Sequence, residues 1–274
     1  MSNERIPSAL AADSAAAAAW IETSDAVTRG LTHSLGNRLF SVWSIGTAMR
    51  ERAAEPRWGE AFDAEMARLE ALLHLFRSLA LDGEEELEPI ALPDVLTVAV
   101  ALLGQHADVR AIPVQLPRQL PGELPDGSTV GADDGGAAPP SVAPVLARRS
   151  SLIQALLLLL TDAARESPDE GTPVVVRYPR TVSDELVSLE VMRTASGSPS
   201  GLVRAADMLL AHAGGVVATG GDVAGRLLTL PALAAARRAL ASALNSSFSG
   251  AACQQTWCWA AVSAVKYPAR LRMR

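Results

Sequence analysis

Two long apolar stripes with helical spacing, one on each side of Pro56, constrain the fold more than any other feature of the sequence. In the first stripe, leucines recur every four residues from Leu31 to Leu39, so they share one face of a helix. The second stripe runs through Phe62, Met66, Leu69, Leu73, Phe76 and Leu79. Because proline interrupts a helix, the pattern predicts two antiparallel helices, at about residues 14–54 and 58–81.

A lone hairpin of this kind would leave part of each apolar stripe in contact with water. Pairing two hairpins into a four-helix bundle covers both stripes. We therefore expect the segment 14–82 to be a dimerisation domain and the chain to form a homodimer.

Composition limits the function classes. Hydrophobic residues make up 49% and charged residues 20% of the 274 residues, which is typical of a folded soluble domain. The net charge of −6 argues against a nucleic-acid partner, and no apolar run is long enough to predict a transmembrane segment. The two cysteines, Cys253 and Cys258, have no second metal-ligating pair nearby, so no metal site is expected. We expect a cytoplasmic protein with reduced thiols.

The chain after the hairpin changes its pattern. Residues 88–232 are expected to form a second domain of mixed type, so the predicted fold class is α+β. Helices are predicted at 92–103, 149–166 and 201–213, and strands at 111–116, 172–178, 186–192, 216–219 and 226–230. Residues 1–13 are predicted to be a flexible arm and residues 233–274 a basic tail, of which 233–244 could be a further helix.

One histidine on the first helix is a candidate nucleophile. At about 100° per residue, His33 lies roughly opposite Leu31 and Leu35, and Asn37 follows one turn later on the same side. An imidazole and a carboxamide thus share the solvent side, where the imidazole is reachable by a substrate. The alternative interpretation is an ordinary surface histidine. His74 lies beside the second stripe and is predicted to be a packing or flanking residue.

The segment around this histidine resembles the phosphoacceptor box of two-component histidine kinases. His33, Leu35, Asn37 and Leu39 fit the box. Ser34 stands where the family usually has an acidic residue that activates the histidine, and arginine is common where Gly36 stands. The resemblance implies His33, Asn37 and Ser34 as the catalytic residues.

The second domain resembles the α/β sandwich of GHKL type that forms the ATPase domain of histidine kinases. Three segments carry the resemblance: Ala91 to Leu96, Ile153 to Leu157, and Ala211 to Val217. Together with the order of helices and strands, they imply an antiparallel helical hairpin that forms a dimeric four-helix bundle, followed by an ATPase-type sandwich.

The nucleotide pocket that this resemblance implies is degraded. Leu158 replaces one of two family asparagines, and Asp162 replaces the other, either as a possible magnesium ligand or as a solvent-facing acid. Arg193 stands where an aspartate accepts from the adenine amino group, and a donor cannot replace an acceptor. Of the glycine boxes, Gly197 and Gly201 remain, so these two and Asp162 outline a vestigial pocket. No cofactor is expected, and weak binding of Mg-ATP is left open.

Three functions fit these observations. The first is a histidine phosphotransfer protein, in which His33 passes a phosphoryl group between receiver-domain aspartates of response regulators. The second is an active sensor-type histidine kinase with a divergent ATP pocket. The third is a non-enzymatic dimeric scaffold that sequesters a response regulator. In each case the partner is a receiver domain.

Overall fold

The computed structural model describes most of the chain. The described residues are 10, 12–51, 56–79, 86–116, 143–167, 171–178, 185–192, 200–213, 215–219 and 225–248. The helices are α1 (Ser14–Glu51), α2 (Pro56–Leu79), α3 (Leu92–Leu103), α4 (Arg149–Arg165), α5 (Gly201–Ala213) and α6 (Leu233–Phe248). The strands are β1 (Glu88–Ile90), β2 (Val114–Gln115), β3 (Val145–Ala147), β4 (Val174–Arg177), β5 (Leu186–Met192), β6 (Val216–Thr219) and β7 (Gly225–Pro231).

Helices α1 and α2 form the predicted hairpin and pack along each other. Pro56 is the first residue of α2, where its missing N–H costs no helical hydrogen bond. Between the helices, Glu65 on α2 receives hydrogen bonds from Arg38 of α1, at 3.2 Å, and from Arg68. Burial alone would raise the pKa of Glu65, but these two hydrogen bonds outweigh it and lower the pKa. An ion cluster therefore joins the two helices close to the predicted phosphoacceptor box.

Of the predicted loose arm, residues 1–13, the structure describes only residues 10, 12 and 13, and two of these belong to the packed start of α1. Leu10 is fully buried, and Asp13 caps the helix by accepting hydrogen bonds from the amides of Ala15 and Ala16 at 2.9 and 3.0 Å. The hydrogen bonds from Ala16 and Ala15 lower the pKa of Asp13. A buried apolar anchor followed by a helix cap means that the packed part of the chain begins before α1.

The second domain is a five-stranded sheet with helices on one face. Its strand order is β2-β4-β5-β7-β6, with β2 parallel to β4 and the other neighbours antiparallel. Side chains of β5 alternate between buried and half-buried, as expected for a sheet with one covered face. The predicted hairpins β4–β5 and β6–β7 are confirmed. The predicted strand at 111–116 is only the two residues Val114 and Gln115.

Helix α4 is the centre of the domain. It packs against α3, α5 and the sheet, and every residue from Ser151 to Ala164 is buried. The leucine run that begins at Leu156 therefore lies in the domain core. Among the described residues, no helix is both long and apolar enough to cross a membrane.

Two parts of the domain differ from the prediction. Strands β1 and β3 pair antiparallel as a separate two-stranded sheet, which the sequence pattern did not predict. Residues 233–248 are the helix α6, with Ala236 buried and the Leu233 amide hydrogen-bonded to the Pro144 carbonyl at 2.7 Å. The predicted basic tail 233–274 therefore begins with a packed helix, and residues 249–274 lie outside the described residues. The predicted fold class, a helical hairpin followed by an α/β sandwich, is confirmed.

Candidate functional site

Helix α1 brings His33 and Asn37 together on its solvent side. Both side chains are exposed, and the Asn37 amide nitrogen lies 3.2 Å from His33 Nε2. This hydrogen bond between the amide and the ring orients the imidazole on the helix surface. The structure thus presents an exposed imidazole whose orientation is set by a neighbouring amide.

Ser34 points away from this pair, toward the second domain. Its hydroxyl donates a hydrogen bond to Gln105 Oε1 at 2.7 Å. Gln105 lies in the turn that follows α3, and no pattern in the sequence predicted a role for it. The hydroxyl in the position of the family's activating acid is therefore hydrogen-bonded to another domain.

The same residue also contacts α1 one turn earlier. A Cβ atom added at Gly30 would lie 1.7 Å from the Gln105 carbonyl oxygen. Only glycine allows the helix to come this close to the turn. A glycine inside a helix is normally unfavourable, so Gly30 was the one sequence signal for this contact.

The first half of α1 is docked on the second domain. Trp20, Val27 and Leu31 are buried in the same hydrophobic core as α3 and α4. Glu22 pairs with Arg165 of α4 at 2.6 Å. The first half of α1 is therefore part of the core of the α/β domain.

The second half of α1 carries an exposed apolar surface. Phe40 and Trp43 are each 66% exposed, and their ring centroids are 5.9 Å apart. Phe40 follows His33 by seven residues, which is two helical turns, so it lies on the same side of the helix. Leu39, from the predicted core stripe, is 53% exposed. The stripe is therefore only partly covered within one chain, as expected for a lone hairpin, since Val42 and Ile45 are half-buried whereas Leu39 and Met49 are exposed.

The residues of the predicted vestigial pocket are occupied by contacts within the fold. Asp162 is only 3% exposed, so the alternative of a solvent-facing acid is wrong. The Ser200 hydroxyl donates to Asp162 Oδ1 at 2.5 Å and also accepts from the Val203 amide at 3.2 Å. Burial raises the pKa of Asp162, and the Ser200 hydrogen bond and the charge of Arg226 act in the opposite direction. Asp162 thus holds the N-terminus of α5 through the residue that caps it.

Gly201, the other described residue of this predicted pocket, lies against α1. A Cβ atom added there would be 3.2 Å from the Ala15 carbonyl oxygen and 3.4 Å from Ala19 Cβ. Leu158 is fully buried. Gly197 and Arg193 lie outside the described residues.

The buried Arg226 was not predicted from the sequence. It is 3% exposed on β7, and its Nε and one Nη atom have no hydrogen-bond partner among the described residues. Its charge acts on Asp162. The sequence pattern of β7, with buried apolar residues such as Leu228, does not predict that Arg226 is buried as well.

The remaining histidines lie in three different environments. His74 is exposed on α2, so of its two predicted roles it flanks the apolar stripe and is not packed within it. His106 is fully buried beside Gln105, with Nδ1 accepting from the Asp108 amide at 3.2 Å. His212 is half-buried at the end of α5 in contact with Arg148. Apart from His33, only His74 is an exposed imidazole in the described ranges.

The chain was compared with known proteins. No protein-family model matches it, and no curated protein is similar enough to match. Similar solved structures include full-length ShkA in complex with AMPPNP, with 16% identity and a TM-score of 0.36 over 77% of this chain and 46% of ShkA. They also include the histidine kinase AdeS of Acinetobacter baumannii, with 13% identity and a TM-score of 0.35 over 73% of this chain and 96% of AdeS. For the cytoplasmic segment of the histidine kinase QseC, the identity is 21% and the TM-score is 0.33, over 62% of this chain and 93% of QseC.

The chain thus spans less than half of ShkA, and each TM-score is too low for the likeness to bear on activity or ligands. The order of the elements is the stronger observation. A long helical hairpin precedes a sandwich in which α3, α4 and α5 cover a mixed sheet. This order of helices and strands is the one that the resemblance in the sequence implied, a helical hairpin followed by an α/β sandwich.

Proposed function

We propose that this chain is a histidine phosphotransfer protein of a two-component phosphorelay. His33 accepts a phosphoryl group from the aspartyl phosphate of one response-regulator receiver domain and passes it to an aspartate of another. The observation that supports this most directly is the exposed His33 ring, whose Nε2 lies 3.2 Å from the Asn37 amide nitrogen. A reachable ring nitrogen with a free lone pair is the form of histidine that attacks phosphorus.

The proposed step is an in-line displacement. The lone pair of Nε2 forms an N–P bond while the bond from phosphorus to the aspartate oxygen breaks, and the carboxylate leaves with the electron pair. Asn37 must release Nε2 as the bond forms, so its amide orients the ring before the reaction. The receiver supplies the magnesium ion that neutralises the phosphoryl oxygens.

Phe40 and Trp43 form the contact that we propose for the receiver. Both are exposed, Phe40 lies on the side of α1 that carries His33, and the Trp43 ring lies 5.9 Å from that of Phe40, so a partner that reaches His33 can contact both. Phe40→Ala and Trp43→Ala should raise the KM for the receiver and leave the rate at saturation nearly unchanged. Ile21→Ala is the control, because Ile21 is also exposed but lies in the half of α1 that is docked on the second domain.

The α/β domain is proposed to act without a nucleotide. Leu158 is buried, Asp162 is bound to Ser200, and α1 covers Gly201. An apolar residue in place of an amide and a carboxylate engaged elsewhere each weaken nucleotide binding by about 1–3 kcal/mol. Calorimetry with magnesium and ATP should therefore give a Kd near the millimolar range or no heat. A low-micromolar Kd would instead support the kinase alternative.

The homodimer remains part of the proposal. Leu39 and Met49 on α1 and Met66 and Leu73 on α2 are exposed in the single chain. Large apolar side chains exposed on both helices of one hairpin favour an association site there. Light scattering of the full chain at micromolar concentration should give the mass of a dimer, and a monomer mass would contradict it.

The deciding experiment follows the phosphoryl group. The full chain is incubated with phosphorylated receiver domains from the same cell, and acid-labile label on the chain is measured. Label is expected on the wild type and on His74→Ala, the matched control with a second exposed imidazole, but not on His33→Ala. Asn37→Ala should accept label more slowly. Label that persists on His33→Ala, or a wild type that takes none, would favour the scaffold alternative.

A further inference from the structure

In-line phosphoryl transfer depends on where the His33 ring stands. The ring lies at the outer radius of α1, about 5–6 Å from the helix axis, so a rotation of the helix by about 10° displaces it by about 1 Å. A displacement of that size at a reacting group lowers the rate by as much as about a hundredfold. Something must therefore fix the rotation of α1 at this turn.

One residue, Gln105, contacts α1 both before and after His33 in the sequence. The Gln105 backbone carbonyl lies against Gly30, where a Cβ would be 1.7 Å away. The Gln105 side-chain oxygen accepts the hydrogen bond of Ser34 at 2.7 Å. Gly30 and Ser34 are four residues apart, so the two contacts lie on successive turns of the same face. Together they restrict both the rotation of the helix and its shift along its axis.

Gln105 is itself firmly held. Its amide donates to the Leu102 carbonyl at 2.9 Å, and Leu102 and Leu103 are buried in the domain core. The next residue, His106, is fully buried. The contact therefore transmits the position of the α/β core to the turn that carries His33.

Among the side chains of α1 that the structure describes, none after His33 is buried, so the rotation of the helix at that turn depends on the contact with Gln105. Trp20, Val27 and Leu31 all precede His33 and fasten the first half of the helix to the domain. After Leu31, the side chains of α1 become half-buried or exposed. Ser34 is thus the first position after the core contacts at which a directional bond holds the helix.

We infer that Gln105 is a positioning residue for His33: it fixes the rotation of α1 so that Nε2 faces the incoming phosphoryl group. This inference rests on the proposed function. It assigns to the α/β domain a role in the geometry of transfer that needs no nucleotide.

Single-turnover transfer from a phosphorylated receiver tests the role. Gln105→Ala and Ser34→Ala should each lower the saturating rate about tenfold with little change in KM, and the double variant should be no slower than the slower single variant. Gln105→Glu and Ser34→Thr keep the acceptor and the donor, so they should retain most of the rate. Thr97→Ala is the control, because its hydroxyl bonds only to Pro93 within α3. Three results would overturn the inference: a rise in KM as large as the fall in the saturating rate, rate losses that add in the double variant, or conservative variants that do not retain the rate.

A measurement without phosphoryl transfer separates this inference from the proposed function. In NMR spectra of the full-length chain, Gln105→Ala should shift the His33 imidazole signals and speed hydrogen exchange of the amides between Leu31 and Asn37. Thr97→Ala should change neither. Unchanged His33 signals in Gln105→Ala would refute the positioning role, even if His33 proves to be the phosphoacceptor. A wild type that takes no label would refute the proposed function and the positioning role that depends on it, while changed His33 signals would still show that Gln105 holds the turn.

Discussion

The two halves of α1 have similar apolar content but opposite environments. In the first half, Trp20 is 1% exposed and Val27 and Leu31 are fully buried against the α/β domain. In the second half, Phe40 and Trp43 are 66% exposed. His33 lies just after the boundary. Helical periodicity indicates which faces are apolar, whereas the covering surface is decided by the rest of the fold or by a partner.

The largest predicted effect on stability is the difference between replacing Trp20 and replacing Trp43. Trp20→Ala leaves a cavity in the core that joins α1 to the domain, so the free energy of unfolding should fall by about 3–5 kcal/mol. Trp43→Ala removes an exposed side chain and should change it by no more than about 0.5 kcal/mol. Urea unfolding of both variants at the same protein concentration compares them, since association changes apparent stability.

A Trp43→Ala protein as unstable as Trp20→Ala would show that the second half is covered in the native assembly. Repeating the measurement at tenfold lower concentration identifies the source. Only a contact between chains weakens on dilution.

The next effect concerns the boundary between the halves. Gly30→Ala places a methyl group against the Gln105 carbonyl and should lower stability by about 1–3 kcal/mol, as overpacking does. Gly36→Ala is the matched control, because nothing lies within 4 Å of the added Cβ. In this exposed helical position alanine should stabilise the protein by about 0.5–1 kcal/mol. Equal shifts of the same sign in thermal unfolding would mean that α1 does not rest on the turn.

Much of the fold could be predicted because its signals are local. Short stretches of sequence are enough to predict the apolar spacing of α1 and α2, the helix that contains Leu156, and the two strand pairs. The strands β1 and β3 could not be predicted, because each has three residues and forms only when distant parts of the chain meet. Short strands carry too few residues for a period to be recognised.

The site was predictable in part for the same reason. His33 and Asn37 are one turn apart, so helical geometry alone brings them together. Gln105 contacts Ser34 across two domains, and no spacing rule connects a turn residue with a helix far away in sequence. Asp162 was singled out by resemblance, but its burial and its bond to Ser200 depend on how α5 packs.

A smaller effect on stability, expected only at acidic pH, concerns His106 in the turn that contacts α1. Burial lowers the pKa of His106 below its ordinary value of 6.5, with Arg165 and Arg29 acting in the same direction and Asp108 and Glu22 opposing. The unfolded chain therefore binds a proton that the folded chain does not, so the His106 contribution to stability is present above about pH 6.5. It is lost progressively as the pH falls toward the lowered pKa.

His106→Asn is the control for this titration, since its side-chain oxygen retains an acceptor for the Asp108 amide and does not titrate. The stability of this variant, measured by urea unfolding between pH 5 and 8, should depend less on pH than that of the wild type. Parallel pH profiles would show that other groups cause the acid loss.

The smallest predicted effect on stability belongs to His33. Its side chain is exposed, and its hydrogen bond is to Asn37 of the same helix, so His33→Ala should change the free energy of unfolding by no more than about 0.5 kcal/mol. The same substitution should abolish phosphoryl transfer, because the other exposed imidazole in the described ranges, His74, lies on α2. Urea unfolding and the transfer assay on one preparation measure both quantities. A loss of more than about 1 kcal/mol would place His33 among the residues that hold the two halves together, since exposed sites away from such contacts rarely cost that much. A stable variant without transfer would instead place the functional residue at the point where α1 leaves its own core and faces a partner.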